Sequence, residues 1–306
     1  LRLWAFQAAA HGADLLNFYR WRSAPFGQEM SCHGLLAPDG TETRGFAELR
    51  DTLMEMRRYG PAWQGRLPDA RVALVLDYHA LWALDVGHET STGLGVEANI
   101  AQMHGILRAA GQPVDILEPR QDLAEYDAVI APMALISRDQ VARRWSNYVE
   151  QGGVLLATGP VGLRTEYNTA SLPLPPGHFR QVFGATMLEY DVVGPSDETN
   201  SEIDYAGTLY PGSAFLGLLK AEDAEPLATW RDALYDGDPC LTVRRQGDGS
   251  AWLFAGHSDA AFYRELLHRI LEEAGVGLSP WASETVEVIP LHTELAQTGA
   301  VAEVGG

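Results

Sequence analysis

RVALVLDY, residues 71–78, decides the fold. Val72 to Leu76 run apolar without a break and end at Asp77. A strand apolar on both faces belongs in a sheet covered on both sides, the habit of parallel sheets. Downstream, residues 79–95 read as a loop. VEANIAQMHGILRAAG (96–111) then places Ile100, Met103, Ile106 and Leu107 on one helical face, with Gly111 as its stop. PVDILEP (113–119), YDAVIAPM (126–133) and VLLATGP (154–160) are three further strands. Between the last two lies DQVARRWSNYVEQGG (139–153), a helix that Ser137 is placed to cap. Strands alternating with helices at this spacing predict an α/β fold: a three-layer, open, mostly parallel sheet.

Beyond Val161 the alternation weakens until about Gly249, with short strands expected at ATMLEYDVV (185–193), LATWRD (227–232) and PCLTVRRQG (239–247). AWLFAGHS (251–258) reads as a last buried strand and DAAFYRELLHRILEEAG (259–275) as a final helix. The sheet domain is therefore bounded at 71–280. Residues 281–306 hold one strand candidate, TVEVIPL, and are too few for a core of their own. Upstream, 1–12 is a short helix stopped by Gly12, 13–21 (ADLLNFYRW) has strand length, Ser23 to Arg44 is rich in turn residues, and 45–58 is amphipathic through Phe46, Leu49, Leu53 and Met56. Helix, strand, loop, helix is one turn of an α/β barrel or doubly wound sheet, and 1–60 cannot bury such a strand alone. Residues 61–70 (PAWQGRLPDA) read as a linker. Leu1 is no initiator methionine, and the first residues read as mid-structure. A piece of a longer polypeptide is the expectation.

The 306 residues hold 22 basic and 41 acidic side chains, a net charge of −19. Such a chain is a poor partner for nucleic acid or an anionic membrane, both of which need a cationic surface. Its 46 % apolar content is enough for a packed core. Cys32 and Cys240 are too few for a four-cysteine zinc site or a disulfide framework. No run approaches the ~20 apolar residues of a membrane span, and no leader-like segment opens the chain, so a cytoplasmic location is expected.

The sheet domain offers little chemistry of its own. Hydrolase- and amidotransferase-like sheets need a Cys or Ser on the sharp turn after a central strand, with a His nearby. The turn here is Thr158-Gly159-Pro160-Val161-Gly162, with neither. Cys240 follows Pro239 and reads as a small buried hydrophobe. Gly93-Leu94-Gly95 lacks the third glycine of a phosphate-binding loop. His79, His88, His104 and His257 show no metal-ligand spacing, and His79 with Asp77 reads as solvated loop at a sheet edge. No metal or cofactor is expected.

Residues 17–44 are richer: NFYRWRSAPFGQEMSCHGLLAPDGTETR sets Phe18, Tyr19, Trp21 and Phe26 beside Arg20, Arg22, Gln28, Glu29 and His33. Aromatic rings can cover the C–H face of a sugar while amide, carboxylate and guanidinium groups fix its hydroxyls. The competing reading buries the rings in a barrel wall and leaves the charges to solvent.

RLWAFQAAAHGADLLNFYRWRSAPFGQE, with HGLL and DG after it, resembles the end of the catalytic barrel of the family 42 glycoside hydrolases, bacterial β-galactosidases. VALVLDY, NIAQMHGILRAAGQPVDIL, YDAVIAPM, VEQGGVLLATGP and PLPPGHFRQVFGATMLEYD resemble that family's next domain. The resemblance implies the last helix, strand and helix of a (β/α)8 barrel over 1–60. It further implies a trimerisation domain over 71–280, flavodoxin-like and akin to a glutamine amidotransferase without its nucleophile, and a stub of a small β domain over 281–306. It implies retaining hydrolysis of terminal β-galactosides by the parent, through two glutamates ~5–5.5 Å apart. In the family both precede the helix that opens this chain, so the chain alone is expected to be inactive and to serve as a homotrimer-forming scaffold. Glu29 matches the loop glutamate that holds galactose hydroxyls. The family's histidine three residues later falls on Cys32, with His33 one further on, and His33 is the favoured occupant of that role. Trp21 and Phe26 complete the expected sugar wall. A non-catalytic carbohydrate-binding module and an amidotransferase-type enzyme are the alternatives.

Overall fold

The computed structural model of the chain describes residues 1–86, 94–194, 201–232 and 234–293. In chain order the elements are α1 (Arg2–Ala10), α2 (Arg44–Tyr59), β1 (Arg66–Pro68), β2 (Val72–Val75), α3 (Tyr78–Val86), α4 (Val96–Ala109), β3 (Val114–Leu117), β4 (Ala128–Pro132), α5 (Asp139–Glu150) and β5 (Val154–Thr158). There follow α6 (Arg180–Phe183), β6 (Ala185–Val192), β7 (Glu202–Tyr205), β8 (Thr208–Ala221), β9 (Glu225–Arg231), β10 (Pro239–Gln246), β11 (Gly249–Phe254), β12 (Gly256–Ser258), α7 (Ala260–Glu273) and β13 (Leu291–Thr293). Two compact units result, Ala70–Val288 and Leu1–Asp69 with Ile289–Gly306.

In the larger unit β2, β4 and β5 are buried throughout, as their unbroken apolar runs require. Strand alternation sorts their side chains to two faces. Ala73, Val75, Val129, Ala131, Leu155 and Ala157 meet the inward residues of α3, α5 and α6. Val72, Leu74, Ala128, Ile130, Val154 and Leu156 meet those of α4 and α7. The three layers follow from that division. Asp259 starts α7 by accepting from the amides of Ala261 and Phe262, both at 3.0 Å.

The sheet is mixed. Strands β3-β2-β4-β5-β11 are parallel, while β10, β9, β7, β8, β6 and β12 extend it antiparallel. The expectation of a mostly parallel sheet thus holds only for its first half. Short connections explain the rest: β7 and β8 are joined by Ala206-Gly207, both at positive φ (51° and 80°), as a tight hairpin turn demands. A parallel pair cannot be joined so briefly.

Three local expectations change. Tyr78, read as the end of a strand, and 79–86, read as loop, form α3, started by Asp77, whose carboxylate accepts from the His79 amide at 3.0 Å. Ser137 does not cap α5; its Oγ accepts from the His178 amide at 2.8 Å, and Arg138 holds the cap position. The strand expected in 285–291 reduces to β13, which pairs with β1 in the smaller unit.

In the smaller unit α1 and α2 are tied by Arg2, whose guanidinium pairs with Glu55 (2.8 Å) and whose amide donates to the Glu48 carboxylate (3.1 Å). Residues 13–21, expected as a strand, make no ladder among the described residues. A strand exists only by its partners' hydrogen bonds, and the one bridge near this segment is Arg22 to Leu36. Of the amphipathic set on α2 only Leu49 is buried; Leu53 is exposed beside a groove of about 760 Å³ lined by Ala9, Leu16, Phe18, Met56 and Trp63.

Candidate functional site

The segment after residue 17 doubles back on itself. Leu35 and Leu36 donate to the carbonyls of Arg20 and Trp21 at 2.9 and 2.8 Å, and Ser23 donates to Leu36 at 3.0 Å. Gly34 lies against this neck, donating to Ser23 Oγ at 2.7 Å. A Cβ on Gly34 would stand 2.5 Å from the Ser23 nitrogen, so only glycine lets the two arms approach. Residues 24–33 are thereby presented as a closed loop on a fixed base.

Glu29 sits on this loop in the single turn Gln28–Ser31. Its carboxylate accepts from the Tyr19 hydroxyl at 2.8 Å and pairs with Arg20 Nη2 at 3.1 Å. Its carbonyl accepts from Arg20 Nη1 at 3.2 Å and from the Cys32 amide at 2.9 Å. Arg20 also lies over the Tyr19 ring, 5.3 Å from its centroid. The hydrogen bond to Glu29 raises the Tyr19 phenol above its ordinary pKa, because a carboxylate acceptor favours the neutral donor. The side chain is thus aimed before any ligand arrives, while one flank of it stays open to solvent.

The other expected residues lie on or beside the same loop, and of them only Cys32 touches Glu29, through its amide. Trp21 packs edge-on to Phe46 of α2 (5.8 Å, 71°) with much of its indole exposed. Phe26 stands exposed on the loop. Cys32 closes the Glu29 turn and His33 adjoins the pinned Gly34; both are exposed. Tyr19 and Arg20 appear in the sequence as members of an aromatic and charged cluster, but their joint grip on Glu29 does not. A Tyr-Arg pair ten residues before a loop glutamate is the available signal.

The sheet domain adds a second turn and corrects one reading. The turn after the fully buried Thr158 is present, with Gly159 and Gly162 at positive φ (81° and 63°), and another follows β4, where Met133 is a non-glycine residue at positive φ (54°). Met133 is itself buried, with its Sδ filling the space beside Gly159. A thioether at the turn supplies neither nucleophile nor base. Asp77 is no solvated loop residue: it is buried and held by Arg138 at 2.6 and 3.3 Å. His79 does stay exposed, its ring 5.4 Å from that of Trp82. Burial pushes the Cys240 thiol far up, away from the reactive thiolate. Gly95 starts α4, whereas His88 and Gly93 lie outside the described residues. Among the described residues no three His, Cys, Asp or Glu side chains are grouped to hold a metal, and no helix is long and apolar enough to cross a membrane.

Residues 70–277 match the family model described as the β-galactosidase trimerisation domain, and residues 1–59 match the model described as β-galactosidase of the same series, glycoside hydrolase 42. The chain is 31 % identical to β-galactosidase BgaP of Planococcus sp. strain L4 over 282 residues, covering 90 % of this chain and 42 % of that protein. Its fold matches the crystal structure of β-galactosidase from Bacillus circulans sp. alkalophilus with a TM-score of 0.85 at 30 % identity, again over 90 % and 42 % of the two chains. The β-galactosidase from Rahnella sp. R3 gives 0.84 at 29 % identity, over 90 % and 42 %. The chain spans less than half the length of these relatives.

Proposed function

On the premise that this chain belongs to glycoside hydrolase family 42, we propose that it is part of a β-galactosidase, the part that assembles the protein and walls one side of the sugar site. Residues 1–60 then correspond to the end of a (β/α)8 barrel, 61–70 to a linker, 71–280 to the trimerisation domain and 281–306 to the start of a further β domain. The single observation carrying this reading is that two models of one family cover the chain in tandem. The parent reaction is retaining hydrolysis of terminal β-galactosides, which needs a pair of carboxylic groups facing each other across the glycosidic bond. Both belong to barrel segments other than 1–60. The 306-residue chain by itself is therefore non-catalytic.

Within the sugar wall Glu29 accepts from galactose hydroxyls through the carboxylate oxygens that Tyr19 and Arg20 hold in place. His33 supplies a second polar contact, and Trp21 and Phe26 give apolar cover. Exposure of Trp21 and Phe26 also favours a second reading, sugar binding without hydrolysis. Titration of galactose against the fluorescence difference between the native chain and Trp21→Phe tests the wall. A saturable change lost in Glu29→Gln supports it, and no change at any sugar concentration refutes it. Light scattering tests the assembly: a mass of three chains is expected, and a strict monomer at high concentration refutes it.

A further inference from the structure

We propose that a hollow at the carboxyl ends of β2 and β3 binds a neutral saccharide, in the larger unit and with none of the residues of the Glu29 loop. Its place follows from the order of the strands. β2 pairs in parallel with β3 on one side and with β4 on the other. From β2 the chain passes through α4 to β3, returns to β4 on the far side of β2, and continues through α5 to β5. α4 packs on one face of the sheet and α5 on the opposite face. The winding thus reverses between β2 and β4, and in open α/β sheets such a reversal leaves a ligand crevice outside the strand ends. Tyr78, His79 and Trp82 enter it from α3, Glu118 and Arg120 from the segment after β3, and Arg138 from the segment after β4. At about 360 Å³ the hollow falls within the ~300–1,000 Å³ of small-molecule sites.

The chemistry of its wall selects the class of ligand. Tyr78 and Trp82 stand 52 and 57 % exposed, their ring centroids 6.2 Å apart and the rings tilted by 37°. The His79 ring meets Trp82 edge-on at 5.4 Å. Glu118 is exposed and, among the described residues, makes no ion pair. Arg120 pairs with Glu166 at 3.3 Å and is still largely exposed. Arg138 is buried and holds Asp77 at 2.6 Å, yet its Nε–H, 3.3 Å from Glu166, has no aligned hydrogen-bond acceptor among the described residues. A buried donor left unmade is costly, and a ligand oxygen that accepts from it removes the cost. An anion in the hollow meets Glu118, and a cation meets the guanidiniums of Arg120 and Arg138. A neutral ligand whose groups both donate and accept avoids both repulsions, and hydroxyls do both. The C–H face of a sugar ring then lies on Trp82, while its hydroxyls donate to Glu118 and accept from Arg120.

The test uses the 306-residue chain labelled with fluorotryptophan, with lactose and galactose as probes. In fluorine NMR the Trp82 and Trp21 resonances are assigned by their loss in Trp82→Phe and Trp21→Phe. The Trp82 resonance should shift saturably with at least one of the two sugars, in the millimolar range or below. Glu118→Gln should weaken that binding by about tenfold or more, as the loss of a charged hydrogen-bond acceptor does. Glu118 is exposed and holds no ion pair among the described residues, so the fold survives the change. No movement of Trp82 with either sugar up to ~0.1 M overturns the proposal. A shift that Glu118→Gln leaves untouched overturns it as well. Choline or adenosine moving the Trp82 resonance at lower concentration than both sugars would make the hollow a cation or nucleoside site, and would overturn it too. The Trp21 resonance reports the Glu29 loop in the same spectra, so the failure of one site is read separately from the failure of the other.

Discussion

The Tyr19 hydroxyl donates to the Glu29 carboxylate at 2.8 Å across ten residues of loop, and the adjacent Arg20 grips the same carboxylate from its own side. A rotatable glutamate on an exposed loop would otherwise sample several rotamers, and each would have to be given up on binding. The contact has a spectroscopic consequence. Replacing Glu29 by Gln removes the anionic acceptor, so the Tyr19 phenol should titrate lower, back toward its ordinary value near 10. In a tyrosine-labelled NMR titration, one ring resonance, assigned by its absence in Tyr19→Phe, should move in this way. An unmoved resonance would show that the pair is not formed in solution.

The Asp77–Arg138 pair is buried and bidentate, so each partner depends on the other. Asp77→Ala leaves a guanidinium under the sheet edge without its chief counter-ion and also removes the acceptor at the start of α3. We expect a loss of about 3–5 kcal/mol in urea unfolding. The double change Asp77→Leu with Arg138→Met should recover part of it. A single substitution costing under about 1 kcal/mol, the worth of a surface pair, would contradict the burial.

The two cysteines should separate cleanly by reactivity. Cys32 is exposed, while Cys240 is sealed in the sheet with its thiol pushed far up. A disulfide reagent at neutral pH should label one thiol in the folded chain and a second only in denaturant. Cys32→Ser should abolish the fast phase. Two fast equivalents would mean that the sheet around Cys240 opens readily.

His257 is largely buried beside Ser213, with Nδ1 2.9 Å from the hydroxyl, and its burial depresses its pKa below 6.5. Because the unfolded chain takes up this proton first, stability should fall as pH drops from 6.5 toward the folded value. The melting temperature of the native chain should therefore decline over that window more steeply than that of His257→Gln. Parallel profiles for the two would show that His257 protonates equally in both states.

What was legible in the sequence follows what local pattern can encode. β2, β4 and β5 announce themselves because burial on both faces forces unbroken apolar runs, and α4, α5 and α7 because one-sided burial gives a helical period. β8 hides because Pro211, Gly212 and Gly217 interrupt any alternation, although the strand continues through them. α3 hides because its outward residues Tyr78, Trp82 and Val86 are as apolar as its inward ones, which leaves only His79 and Asp85 to mark the period. Residues 13–21 mislead in the other direction, having strand composition without a partner strand. At the proposed sugar wall, Glu29 is visible through resemblance and composition. The hold of Tyr19 and Arg20 on it depends on how the loop closes at Gly34, and the Asp77–Arg138 pair joins residues 61 apart. Neither is a local property.

The central claim is that these 306 residues carry assembly and one wall of a galactoside site, without the acids that cut the bond. Release of nitrophenol from a nitrophenyl β-galactoside by the highly purified chain tests it most directly. We expect no release above the enzyme-free blank. Turnover that co-purifies with the chain and is lost on substituting a carboxylate within it would contradict the account.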